Sequence, residues 1–414
     1  MKGNRVVVTG LSAITPLGLD LASSWEALLA RKSGIVPVTR FDISEFDSKI
    51  AGEIQDFDPT TYIPAKQARR MDRFTQYAVA CSQMLIKHAN LVVDESNRED
   101  IGTIIGVGLG GLETIEETHK KMLDRGPGRV SPFFIPTLIA NMASGQVSIF
   151  TGASGPNVCT TSACASGMHA VGYAFTEIML GRAKAMICGG AESTISPLGF
   201  SGFTAMKALS TRNDDPQHAS RPYDRDRDGF VMSEGCGLLM LESLESARER
   251  GACIYAEVIG FGASADANHI TAPLEDGAGM ALAMRRALKD GGVAPEDVDH
   301  VNAHGTSTKL NDLCETRALK AVFGDHASKL AICANKSQIG HTLGAAGGIE
   351  NVFTVMSLHN GVIPGTINLE NPDDECDLDY CADGPRQQQA EVAISNSFGF
   401  GGTNACVLFK RFTD

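Results

Sequence analysis

Short apolar runs alternate along this chain with longer segments of helical spacing, and glycine-bearing loops join them. Residues 5–9, 101–106, 185–188, 237–241, 255–260, 300–303 and 330–333 read as buried strands, most of them small or branched apolar runs too short for a helix. The segments 168–180, 277–288 and 345–358 have helical length, and the first of them is apolar on more than one face, as in a helix packed between layers. Gly10 reads as the start of a loop, and Lys66, Arg69, Arg70 and Arg73 read as a basic cluster on a helix running through Ala80. The order strand, loop, reactive-type residue, buried helix, strand occurs twice, around Cys164 and around His341. It suggests two similar α/β halves, 1–253 and 254–414, sharing one site.

Cys164 lies in Thr-Thr-Ser-Ala-Cys-Ala-Ser-Gly, directly before the first apolar helix. Free N–H groups and the positive end of a helix dipole favour thiolate at such a place, which would make Cys164 a nucleophile. A buried structural cysteine is the other reading of this stretch taken alone.

Composition narrows the setting. The net charge of −13 argues against a nucleic-acid surface covering the whole protein and leaves room for a local basic patch. The 11 cysteines are scattered, which suits a reducing cytoplasm better than a disulfide framework, and no apolar stretch is long enough to span a bilayer. The N-terminus enters a strand-like run with no signal-peptide pattern, so a cytoplasmic location is expected.

Several motifs resemble known devices without completing them. Val-Thr-Gly after the first strand lacks the full glycine pattern of a dinucleotide loop, and Gly108-Leu109-Gly110-Gly111 is a weak phosphate signal better explained by close backbone packing. Asp224-Arg225-Asp226-Arg227-Asp228-Gly229 begins like a calcium loop, but Gly235 stands at the position of the bidentate Glu, and a salt-linked turn is expected instead. Ser131-Pro132-Phe133-Phe134-Ile135-Pro136 is an aromatic loop suited to a pocket wall, a subunit interface or a core plug.

The second half supplies reactive groups. His304 follows a short strand in Val-Asn-Ala-His-Gly-Thr-Ser-Thr, while Lys336 and His341 share Asn-Lys-Ser-Gln-Ile-Gly-His-Thr-Leu-Gly-Ala-Ala-Gly. The closing Asn-Ser-Phe-Gly-Phe-Gly-Gly-Thr-Asn offers backbone N–H groups and a mobile Phe400. A cysteine, two histidines, a lysine and an amide-rich loop form a set for acyl-thioester chemistry. Zinc is disfavoured because no C-x-x-C or H-x-x-x-H pair occurs among them, and a papain-like protease because it would use one histidine with an Asn partner.

Together these motifs, with Arg-Pro-Tyr-Asp-Arg-Asp-Arg-Asp-Gly-Phe, closely resemble the β-ketoacyl-acyl-carrier-protein synthases over nearly the whole chain. The resemblance implies a thiolase-like five-layer α-β-α-β-α fold of two βαβαβαββ halves, a homodimer, and a decarboxylative Claisen condensation. It implies an acyl group on Cys164 and enolate stabilisation by His304 and His341. The oxyanion hole would be the N–H groups of Cys164 and Phe400, and Lys336 would support His341 together with Glu350. Asp312 and Glu315 are retained as support residues.

By the same resemblance, Thr306, Thr308 and Thr271 meet a phosphopantetheine arm, and Leu109 and Phe203 line an acyl pocket. Phe133 or Phe134 of a partner chain would complete that pocket, and Phe400 would gate it. Lys66, Arg69, Arg70, Arg129 and Lys207 become a docking patch for an acidic acyl-carrier protein. No cofactor is implied beyond carrier-borne phosphopantetheine, and no metal is required, although Asn302, Glu350 and Asn396 mark a place for a monovalent cation. One departure stands out: Thr308-Lys309-Leu310-Asn311-Asp312 follows His304 where housekeeping type II synthases more often have Pro-Ala-Gly-Asp. Lys-Leu-Asn-Asp also occurs in polyketide-type ketosynthases, so a fatty-acid elongating enzyme leads and a polyketide or specialised-lipid ketosynthase is the alternative. A non-catalytic chain-length factor is disfavoured by the intact Cys-His-His set.

Overall fold

The computed structural model describes residues 3–413. Ten strands carry the architecture: β1 (Val6–Ile14), β2 (Ile101–Gly106), β3 (Asn157–Thr160), β4 (Ala185–Glu192), β5 (Gly235–Ser243), β6 (Ala256–Ala265), β7 (His300–Asn302), β8 (Ala331–Cys333), β9 (Val392–Gly399) and β10 (Thr403–Lys410). Six helices pack on them: α1 (Arg73–His88), α2 (Met142–Thr151), α3 (Ser166–Met179), α4 (Ala278–Gly291), α5 (Lys309–Phe323) and α6 (Ala346–Asn360).

The order β1-α1-β2-α2-β3-α3-β4-β5 is repeated as β6-α4-β7-α5-β8-α6-β9-β10. Within each set the strands lie third, second, fourth, fifth, first, with the same parallel and antiparallel neighbours. Among the described residues, the strands of the two sets pair with each other only where residues 6–8 of β1 meet 256–258 of β6. Helices α3 and α6 pack on each other and on both strand sets, α1 and α2 cover one outer face, and α4 packs with α5 over the other. This is the five-layer arrangement, and its central layer explains why α3 and α6 are apolar nearly all round: both faces meet a sheet. Met168, Val171 and Ile178 of α3 and Ile349, Phe353 and Leu358 of α6 are fully buried. Burial of each such side chain stabilises the fold by about 1.5–3 kcal/mol.

The N-termini of α3 and α6 touch through backbone. A Cβ on Gly347 would lie 2.4 Å from the N of Met168, and one on Gly167 would lie 2.7 Å from the N of Gly348. No side chain separates the two helix starts, so the residues that precede them are brought side by side. Those residues are Cys164 and His341.

Two local expectations are corrected. Gly10 opens no loop: β1 runs through it to Ile14 with a register shift near Thr9, and Gly10 is required because a Cβ there would sit 2.8 Å from Cβ of Ala89. The basic cluster does not lie on one helix. A short helix (Ala65–Ala68) carries Lys66, and the chain then breaks before α1 begins at Arg73. Asp72 adopts extended backbone at that break, and its carboxylate accepts the Thr114 hydroxyl at 2.5 Å. The 224–229 stretch is the salt-linked turn that the sequence suggested. Asp224 accepts the N–H groups of Asp226, Glu370 and Asn371, and buried Arg227 pairs with Asp373.

Candidate active site

Cys164 is held on a strained turn between β3 and α3. Ala163 adopts the left-handed region at φ 51°, costly for a residue with a Cβ, and the hydroxyl of Ser166 staples the turn. That hydroxyl accepts the N–H of Ser162 at 2.9 Å and donates to the carbonyl of Ala163 at 2.6 Å. The result presents the Cys164 sulfur to a cavity.

His341 Nε2 lies 3.0 Å from that sulfur. Its position is set by backbone: its N–H donates to Val231 and its carbonyl accepts from Ser233. On the far side of the ring, Nδ1 accepts the N–H of Leu343 at 3.3 Å, which leaves the proton on Nε2. His304 stands with its ring centroid 5.3 Å from that of His341, nearly perpendicular to it. Its Nδ1 faces the Lys336 ammonium at 3.3 Å, and an ammonium has no acceptor, so here too Nε2 carries the proton. Lys336 pairs in turn with Glu350, both fully buried. The hydrogen bond of Lys336 therefore serves His304, correcting the expectation that it serves His341. Its charge is still close enough to act on both rings.

The loop of His304 is carried by α5. One carboxylate, Glu315, accepts the N–H groups of His304 and Gly305, each at 2.8 Å, and Asp312 accepts the N–H of Thr306 at 3.0 Å. Two buried acids on one helix thus fix the turn that points His304 at Cys164.

Burial governs the protonation of Cys164, His304 and His341. It pushes the Cys164 thiol up to about 11, against the opposing pull of Lys336 and of the Phe400 and Cys164 N–H groups. The thiolate expected from the helix start is therefore not the resting form, because desolvation outweighs the favourable charges. Burial, and then the Lys336 charge, hold both histidines well below 6.5, so both are neutral N–H donors at pH 7. Burial raises Glu350 to about 7, with Lys336 pulling it down.

Ligand atoms of Cys164, His304 and His341 all fall within 4.8 Å of one another, close enough to invite a metal reading. Zinc needs imidazole lone pairs, and both rings spend theirs on Leu343 and Lys336 while turning N–H groups to the centre. The arrangement fits an oxygen acceptor better than a metal ion. A cavity of about 600 Å³ opens above the triad, lined by Leu109, Phe203, Lys207, Thr271, Thr306, Thr308 and Phe400 among others. Phe400 and Phe203 face each other with centroids 6.5 Å apart, and the Thr306 and Thr308 hydroxyls are 2.9 Å apart.

Comparison with known proteins decides among the acyl-transfer chemistries. The description "Beta-ketoacyl synthase, N-terminal domain" matches residues 3–247 and "Beta-ketoacyl synthase, C-terminal domain" matches residues 255–370. The chain belongs to the β-ketoacyl synthase family. It is 54% identical to 3-oxoacyl-(acyl-carrier-protein) synthase 2 of Synechocystis over 412 residues, covering 100% of this chain and 99% of that one. The protein of the same name from Coxiella burnetii is 48% identical, with 100% of each chain covered. Among solved structures, a β-ketoacyl synthase from Burkholderia phymatum superposes with a TM-score of 0.92 at 35% identity, covering 99% of this chain and 100% of that one. The ishigamide ketosynthase/chain length factor gives the same TM-score and coverage at 34% identity. A β-ketoacyl synthase is an acyltransferase.

The remaining predicted residues of the synthase lie away from the sulfur. Lys66, Arg69, Arg70 and Arg129 are exposed, and Lys207 stands at the cavity. Phe133 and Phe134 do not line this chain's cavity; Phe133 is partly exposed, with the Arg70 guanidinium 4.0 Å above its ring. Two residues escaped the sequence reading. Asp266 accepts from Asn404, while its N–H donates to Gly402, tying a second loop to the Phe400 turn. Glu192 accepts from the Gly108 and Gly344 N–H groups. An acid ending an otherwise apolar strand, Gly-Gly-Ala-Glu, was the available signal. Among the described residues no helix is long and apolar enough to cross a membrane.

Proposed function

We propose that this synthase elongates fatty acyl chains on acyl-carrier protein, and that Cys164, His304 and His341 carry the reaction. Cys164 Sγ attacks the acyl thioester, the bond to the carrier thiol breaks, and the thiol proton leaves with that thiol. Malonyl-carrier protein then loses CO₂, and the electron pair of the broken bond passes to the thioester as an enolate. The Nε2–H groups of His304 and His341 stabilise its oxygen. The enolate carbon attacks the Cys164 thioester, whose oxyanion the Cys164 and Phe400 N–H groups hold; the C–S bond breaks, the sulfur leaves as thiolate and takes a proton from water, and the carrier keeps a β-ketoacyl product two carbons longer. One observation carries this reading: both imidazoles keep their Nδ1 acceptors occupied, His341 sets Nε2 3.0 Å from the Cys164 sulfur, and ligand atoms of His304, His341 and Cys164 lie within 4.8 Å of one another.

Thr271, Thr306 and Thr308 guide the phosphopantetheine arm, Leu109 and Phe203 bound the acyl chain, and Phe400 gates it. The exposed Lys66, Arg69, Arg70 and Arg129, with Lys207, receive the carrier protein in the cytoplasm. Fatty-acid elongation is favoured over polyketide chemistry by the 54% and 48% identities to 3-oxoacyl synthases, against 31% to a ketosynthase described as type II PKS. Two chains pair through the free edge of β3, where Val158 is half exposed, beside the exposed Ile149 of α2. In that pairing Phe133 or Phe134 reaches the partner's pocket. Residues 1–253 and 254–414 form the two halves of each chain.

Asn302 Oδ1, Glu350 Oε2 and Asn396 Oδ1 are buried acceptors without partners, a donor set that fits a monovalent cation. Bound there, the cation would neutralise buried carboxylate charge behind His304. Intact mass of the protein after incubation with acyl-carrier protein, with Cys164→Ala alongside and malonyl-carrier protein added afterwards, tests the assignment. An adduct on the wild type alone, discharged as a β-ketoacyl product, is the expected result. No adduct with any fatty acyl chain overturns it.

A further inference from the structure

Glu192 is fully buried at the end of β4 and takes no part in the steps above. Its carboxylate is held by backbone N–H groups: Gly108 at 2.7 Å and Gly344 at 3.1 Å on Oε2, Gly110 at 3.3 Å on Oε1, and Leu109 at 3.3 Å from both oxygens. The donors come from two segments. One follows β2 and carries Leu109 on the cavity wall; the other comes three residues after His341.

The segments approach so closely that a side chain on either glycine would collide. A Cβ on Gly108 would lie 2.4 Å from Glu192 Oε2, and one on Gly344 would lie 2.2 Å from the N of Gly108. Gly344 directly follows Leu343, which adopts the left-handed region at φ 49° and gives its N–H to His341 Nδ1. Four converging donors need an acceptor with lone pairs on every side, which a carboxylate supplies in its ionised form; the donors favour that form while burial works against it and raises the group to about 7. An amide of the same shape would turn an NH₂ into them.

We propose that Glu192 is a positioning residue that sets the acyl-pocket wall at Leu109 and the Leu343 N–H behind His341 in one register. The wall that receives the chain and the imidazole that receives malonyl are thereby placed together. The inference rests on the roles given above to Leu109, Cys164 and His341.

The test compares wild type, Glu192→Gln and Glu192→Asp at three readouts: acyl loading of Cys164 across chain lengths, condensation kcat, and KM for malonyl-carrier protein. Glu192→Gln is expected to lower kcat about 10²-fold with little change in KM and to flatten the chain-length preference, and Glu192→Asp to recover about tenfold of kcat, as a misplaced reacting group would. A folded Glu192→Gln with wild-type kcat and chain-length profile overturns the proposal. Wild type that fails to load at all overturns the reading of Cys164 instead. Should Glu192→Gln not fold, amide exchange on the wild type decides: peptides covering 108–110 and 343–345 are expected to exchange at one common rate, and independent rates sink the idea.

Discussion

The Lys336 ammonium lies 3.3 Å from Nδ1 of His304 and pairs on its other side with Glu350. One buried cation therefore does two things: it balances a buried carboxylate, and it keeps the His304 proton on Nε2. The two effects separate by mutation. Lys336→Met leaves Glu350 buried and alone, which costs about 3–5 kcal/mol of stability. Adding Glu350→Gln is expected to restore most of that stability, read as the thermal midpoint. It leaves malonyl decarboxylation, read as CO₂ release, depressed about 10²-fold, because nothing then holds the His304 tautomer. A double variant that decarboxylates normally would show that Lys336 acts on stability alone.

The resting thiol gives a second expectation. With Cys164 pushed up to about 11, the thiolate fraction at neutral pH is small and grows with every step in pH. Alkylation of Cys164 by iodoacetamide is expected to accelerate about tenfold per pH unit from pH 7 to pH 10 without levelling. A plateau near neutrality would mean that the helix start and Lys336 overcome desolvation.

The histidines make stability depend on acid. Burial holds the folded pKa of His304 well below its ordinary 6.5, so as pH falls below that value the unfolded chain binds a proton that the folded protein refuses. The contribution is present above 6.5 and is lost on acidification. Relative to His304→Gln, wild type is expected to lose up to about 1.4 kcal/mol per pH unit in that range, measured by urea unfolding. The comparison with the variant isolates this residue from the buried Glu192 and Glu350, both raised to about 7, which push the other way by retaining protons on folding.

The sequence carried the residues that the fold brings together at the candidate site because their signals lie in short local stretches. Cys164 before an apolar helix, and His304 and His341 after strand-like runs, are readable without knowing what packs above them. The doubled organisation was readable for the same reason, since each unit repeats a local order of strand, loop and helix. What it could not carry were properties that arise only from assembly. The Cys164 pKa follows from the elements that close over it, Lys336 turns to the ring nearest in space, and Glu192 gains its role from loops 82 or more residues away in sequence. Gly10 was misread because the atoms that exclude a side chain there belong to Ala89, just past the end of α1, with Leu85 and Met240 behind it, all distant in sequence.

The meeting of the two halves at Gly347 offers a last test, one that reaches the site without touching a reacting group. Adding one methyl in Gly347→Ala would place it 2.4 Å from the backbone N of Met168, and neither helix start can yield locally. Accommodation must push α3 and α6 apart, and Cys164 precedes one while His341 precedes the other. Overpacking of this kind costs about 1–3 kcal/mol. The same displacement lengthens the 3.0 Å contact between His341 Nε2 and the sulfur. A folded Gly347→Ala protein is therefore expected to lose condensation by about 10²-fold, beyond what its lowered thermal midpoint explains. Retention of full activity at a reduced midpoint would mean that the site keeps its geometry independently of how closely the two central helices approach.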